Sequence, residues 1–207
     1  MTGMRRRFPD YDVLAKRDTP SWNEATRRVI DERLQICDKP QFFTDDEWLT
    51  LRAVCHRIVP QPPGRTRPIP VAAMIDRKLY RRKGDGYRLA QMPAMREAWR
   101  HGLAALDEEA KQRFGARFHE LAPGRQDTVL SLVQQGEVRA KCWRGLPAQQ
   151  FFMKRLLHDA VSAYYAHPIG WNEIGFGGPA SPRGYVRMDF NRRDPWEAEE
   201  REHVLHR

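Results

Sequence analysis

No apolar run in this chain of 207 residues reaches the roughly 20 residues needed to cross a bilayer. Cysteine is scarce: only Cys37, Cys55 and Cys142 occur, far apart and without a CxxC pair. Zinc-ribbon spacing is therefore absent, and an odd count argues against a disulfide framework. A pairing of Cys37 with Cys142 is left open, whereas Cys55 lies on an apolar helical face and reads as an inert core thiol. Also missing are a GxGxxG turn, a Walker A loop and a GxSxG elbow, so the chain offers no dinucleotide cradle or hydrolase nucleophile of the usual kind. No convincing alternating strand appears.

What is abundant is charge. Thirty-six Lys and Arg against 27 Asp and Glu give a net charge of +9, and charged residues make up 30% of the chain against 41% hydrophobic. Such a balance suits nucleic acid, an anionic membrane or an acidic protein. The arginines, however, are spread along the chain and interleaved with acids, as on a solvated surface. Arg5–Arg7, Arg81–Lys83 and Arg192–Arg193 are short basic clusters without the basic helix or interleaved aromatics that nucleic-acid recognition uses. A basic helical nucleic-acid-binding protein is the alternative reading. Met4-Arg5-Arg6-Arg7-Phe8 has the look of a twin-arginine signal, but polar residues follow where an apolar segment belongs. The expectation is a cytoplasmic chain, periplasmic only if an exported partner carries it.

The pattern that is present is helical. Thr19-Pro20-Ser21 reads as a helix start running to about Gln35, with Val29, Ile30 and Leu34 as a thin apolar stripe. Thr44-Asp45-Asp46-Glu47 is a capping box, with Phe43 and Trp48 placed as a hydrophobic staple. Residues 60–70 hold five prolines and a glycine and predict an irregular connection. A short helix is expected over Val71–Leu79, a helical pattern of four turns from Met92 to Leu106, a new helix from Asp107 to Phe114, then a Pro123-Gly124 turn and a helix ending at Gly136. Residues 147–166 are apolar around much of the circumference, as a central helix is. The fold class is all-α, with one compact helical domain over 20–166, an irregular arm over 1–19 and an irregular tail over 167–207.

That tail is the most informative stretch. Five glycines and three prolines sit among Trp, Phe, Tyr and Ile between His167 and Tyr185. Linkers and disordered tails lack large apolar groups, so this is an ordered loop lying against some surface. Trp171, Ile174, Gly175, Phe176, Gly178, Pro179, Tyr185 and Trp196 are its candidate interface residues. Aromatic anchors of this kind are enriched where proteins meet; clamping to the chain's own core is the competing use.

Histidines offer little catalytic promise. His158-Asp159 could supply a general base with its orienting carboxylate, but neighbours on a helix diverge, which speaks against a direct pair. His56, His101 and His119 lack metal-site spacing, and the last two read as surface groups. No catalytic, cofactor-binding or metal residue is assigned.

Phe42-Phe43-Thr44-Asp45-Asp46-Glu47-Trp48, Gln150-Phe151-Phe152 and the closing GWNEIGFGGP together resemble the gluconate 2-dehydrogenase subunit 3 family, over Phe42 to Trp196. The resemblance implies a non-catalytic accessory subunit. Its partner would be a large FAD-dependent dehydrogenase of the glucose–methanol–choline type, acting on a sugar, sugar acid or alcohol. The small subunit would support that chain's folding, stability, maturation or export, in the manner of a chaperone. Any flavin would lie on the partner. Whether a cytochrome subunit joins is open.

Overall fold

The computed structural model describes residues 7–86, 89–139, 141–180, 184, 186–190 and 192–200. All regular structure among these residues is helical. The chain groups into two compact units: residues 1–36 with 165–207, and residues 37–164. This grouping differs from a central domain flanked by an arm and a tail, because the first helix falls in the unit formed by the two chain ends.

The unit over 37–164 begins where the capping box sits. Thr44 accepts from Glu47 N while Glu47 accepts from Thr44 N, opening α2 (Asp45–Ile58). Just before it, the buried carboxylate of Asp76 in α3 (Val71–Tyr80) accepts the backbone N–H groups of Gln41, Phe42 and Phe43 at 2.7–3.3 Å. One acid thus satisfies three successive amides and fixes the entry to α2. The 60–70 connection is irregular, held by Gln61, which bonds both N and O of Ile69.

α4 (Met95–Phe114) runs unbroken through Asp107, where a new helix was expected. Asp107 caps nothing in its own helix. It accepts from Thr50 Oγ1 and from Phe118 N, both at 3.0 Å, and so serves tertiary packing. Helix α5 (Pro123–Gln135) starts at Pro123 itself, which suits a first helical position because it needs no amide partner. α4 and α5 end at Gly115 and Gly136.

The expected central helix is continuous over 148–166, as α6 (Ala148–Phe151), a π-helical segment Phe152–Leu157 and α7 (His158–Ala166). Its Phe151 is fully buried against Trp99 at 5.8 Å and Trp143 at 6.0 Å between ring centroids, and Phe43 meets Trp99 at 6.2 Å. Such pairs contribute about 0.5–1.5 kcal/mol each beyond their buried area. Phe151 reaches this position because α4 carries Gly102 there. A Cβ on Gly102 would lie 2.0–2.4 Å from the Phe151 ring. Cys55 is buried as expected, and burial pushes its thiol well up.

In the unit of the chain ends, a short helical turn Val13–Lys16 precedes α1 (Glu24–Leu34). α1 starts later than Thr19-Pro20-Ser21 suggested. Thr19 instead donates to the Lys16 carbonyl at 2.7 Å and accepts from Ser21 N, closing a turn, and Asn23 caps the helix through Thr26 N. Of the stripe, Ile30 is buried while Val29 and Leu34 are exposed.

The tail is not irregular from its start. Pro168–Ile174 forms α8, with His167 as its N-cap and Pro168 in the first position. The tail was expected to be irregular throughout; instead Pro168 and Gly175 mark the two ends of a helix. Gly175 closes α8 at φ +65°, a left-handed conformation that a side chain strains, and a Cβ there would also meet the Phe8 ring at 2.7 Å.

The close approach at Gly102 yields a test. Gly102→Ala forces Phe151 aside, which costs about 1–3 kcal/mol and lowers Tm by roughly 2–4 °C per kcal/mol. Adding Phe151→Leu restores part of the loss. An unchanged melting temperature for Gly102→Ala would contradict this packing.

Candidate partner interface

The candidate residues sit on or after α8. Trp171 is 3% exposed and belongs to a core with Val13, Trp22 and Ile30, against which Tyr11 and Leu14 pack. Its indole N–H donates to the Tyr165 carbonyl at 2.5 Å, Arg33 lies over its ring at 5.7 Å, and Phe176 meets it edge-on at 5.7 Å. Gly178 is buried, and a Cβ on it would press on Trp171 at 3.0 Å and Trp22 at 3.4 Å. Trp171 and Gly178 thus clamp arm to tail inside their own unit. Gly175 does the same through Phe8.

The outward apolar side chains are Ile174, 49% exposed, and Phe176, 40% exposed. Pro179 and Trp196 are half-buried, and Tyr185 lies outside the described residues. Arm and tail are further joined by Val13 N to Asn172 Oδ1 at 2.7 Å and Lys16 Nζ to the Gly177 carbonyl at 2.6 Å. Between them opens a cavity of about 480 Å³, lined by Tyr11, Lys16, Gly177, Arg187, Asp194 and Trp196 among others. Burial, with the Asp12 and Glu197 carboxylates, pushes the Tyr11 phenol up to about 12, so it remains a protonated donor at neutral pH.

Sequence reasoning passed over Val186, Met188 and Phe190, which are 71%, 60% and 92% exposed. The available signal was three large apolar residues at alternate positions among charges. It is faint without knowledge that these side chains are exposed.

The catalytic candidates resolve differently. His158 Nδ1 does face Asp159 Oδ1, at 3.1 Å, against the expectation from helical divergence. Nδ1 lies close to the backbone, so a neighbouring carboxylate turned towards it can reach. That carboxylate is 1% exposed and is also held by Lys78 Nζ at 3.1 Å and by the Trp99 indole N–H at 3.0 Å. Lys78 and Arg155 both pair with Asp85, at 2.6 and 2.8 Å. Donor atoms of Asp85, His158 and Asp159 lie within 4.8 Å of one another. Two carboxylates there already face two fixed cations, so a metal ion would have to displace the Lys78 ammonium. The arrangement is a neutral internal network that ties α3, α4 and the 148–166 helix together. His101 and His119 are half-buried instead of free surface groups: His101 faces the Cys142 carbonyl and His119 faces Thr50 Oγ1.

What fold and surface define together is an all-α chain with one internal network of paired charges and with exposed apolar side chains that include Ile174, Phe176, Val186, Met188 and Phe190 on the unit of its ends. Residues 45–178 match the gluconate 2-dehydrogenase subunit 3 family, and the chain belongs to that family. The match covers α2 to Gly178, a shorter span than Phe42 to Trp196. The family is that of a subunit of a multi-subunit dehydrogenase. No curated protein and no solved structure matches the chain. No described helix is long and apolar enough to cross a membrane.

Two outcomes follow. Trp171→Ala removes a core ring, worth about 3–5 kcal/mol, so trypsin should cut within 7–36 and 165–200 much faster while 37–164 keeps its helicity. An unchanged cleavage pattern would remove the clamp. The second concerns pH. Burial pushes the Asp85 carboxyl up, but hydrogen bonds and charge from Lys78 and Arg155 outweigh it and hold it below the usual carboxylate range. Its stabilising contribution is therefore present above the unfolded value, near 4, and is lost as pH falls through the lower folded value. In urea unfolding from pH 7 to 3, the stability of Asp85→Asn should fall less than that of wild type. Parallel pH profiles would contradict the pairing.

Proposed function

We propose that this chain is a non-catalytic small subunit that binds and stabilises a large FAD-dependent dehydrogenase of the glucose–methanol–choline type. The observation that carries the reading is the family match over 45–178. The partner would oxidise a sugar, sugar acid or other alcohol, and the small subunit would aid its maturation. The flavin is assigned to the partner, because the sequence has no Gly-rich strand-to-helix turn to cradle a pyrophosphate. The chain is placed in the cytoplasm by default, and in the periplasm only as cargo of an exported partner.

The exposed apolar side chains of the end unit support a protein-binding role, since apolar residues at that exposure are what an interface covers. The nucleic-acid alternative gains no specific observation. Arg17, Arg57, Arg113, Arg117 and Arg187 each pair with a carboxylate at hydrogen-bonding range, so none of the five contributes an uncompensated charge to a basic patch.

The purified chain alone should show no flavin absorption, and a stoichiometric flavin band would overturn the assignment. Added to the dehydrogenase chain at 100 times its dissociation constant, it should raise that chain's stability by about 2.7 kcal/mol. A melting temperature unmoved by saturating small subunit would contradict the stabilising role.

A further inference from the structure

We propose that the partner's docking face on this chain is the loop formed by residues 186–190 and 192–197 together with the end of α8, and that Trp171 only supports it from below. The proposal rests on the accessory-subunit reading and names the surface through which it acts. The loop is clasped onto itself. Met188 N donates to Asp194 Oδ1 at 2.8 Å, the Arg187 guanidinium pairs with Glu197, Asp194 N donates to Glu197 Oε1 at 3.1 Å, and Glu197 N donates to the Asp194 carbonyl at 2.9 Å. Asp194 is 6% exposed. A loop held at four points still turns Val186, Met188 and Phe190 outward. Such exposure belongs to an ordered presentation whose ordering cost is already met before binding.

The same loop supplies Arg187, Asp194, Trp196 and Glu197 to the 480 Å³ cavity. Gly175 and Gly177, on either side of exposed Phe176, line it as well. The two segments that line the cavity are also the ones that carry the exposed apolar side chains, Ile174 and Phe176 on one and Val186, Met188 and Phe190 on the other. The cavity's charged lining, Lys16 and Arg187 against Asp194 and Glu197, sums to zero, so it favours neither an anion nor a cation. The occupant that fits is a segment of a protein without net charge, whose apolar side chains cover Met188 and Phe190. Family membership as a dehydrogenase subunit identifies that protein as another subunit of the same enzyme.

The test uses full-length chains and the large FAD-dependent dehydrogenase subunit from the same source. Met188→Ser with Phe190→Ser removes exposed side chains and leaves no cavity, so the melting temperature should not change. The control is Leu49→Ser with Tyr80→Ser, two exposed apolar residues in the 37–164 unit. The face variant should weaken the measured dissociation constant about tenfold or more, with the control equal to wild type. Wild-type affinity in the face variant overturns the docking face and leaves the accessory reading standing, as does equal weakening in both variants. No binding by wild type overturns the accessory reading and the inference with it. A wild-type chain that dimerises alone, and a face variant that does not, would assign the face to a second copy and also overturn the proposal.

Discussion

The indole of Trp171 is the fixed point of the unit made from the two chain ends. It is buried against Val13, Trp22 and Ile30, residues more than 140 positions away in sequence, and its N–H is met by a backbone carbonyl. Without it, an arm with one short helical turn and a tail with one seven-residue helix have too little apolar area of their own to stay ordered. Phe8 on Gly175, Asn172 on Val13 and Lys16 on Gly177 add to a junction that the ring makes possible. What reaches the surface beyond that junction, from Ile174 to Phe190, is presented because the interior holds.

The 37–164 unit depends on polar devices of a similar economy. Asp76 satisfies three amides ahead of α2, and Asp159 receives Lys78, Trp99 and His158 at once. Burying such acids costs free energy that only full pairing recovers. Their placement at the meeting points of helices specifies how those helices align, beyond what apolar packing of Trp99, Phe151 and Leu156 would define.

Much of the helical plan was readable in sequence because its signals are local. The capping box at Thr44, the prolines of 60–70, the stops at Gly115 and Gly136, and the apolar girth of 147–166 all act within a few residues. The misreadings arose where a residue serves a distant partner. Asp107 looked like a helix start but binds Thr50 and Phe118, and Thr19 looked like a cap but closes a turn. The tail was expected to be irregular, although Pro168 and Gly175 bound a helix within it. For the interface, sequence could show that the aromatics needed burial but not by what. Trp171 turned out to be answered from within, while Met188 and Phe190 drew no attention because exposure has no local signature.

The central claim is that arm and tail form an ordered body in the isolated chain, ready to be covered by a partner. Amide hydrogen exchange on the purified chain tests it most directly. The N–H groups of Val13, Trp171, Phe176 and Met188 are bonded to Asn172, His167, Trp171 and Asp194 respectively. The account predicts that all four exchange far more slowly than unstructured amides. Exchange at unprotected rates at these positions, with protection confined to 37–164, would contradict it.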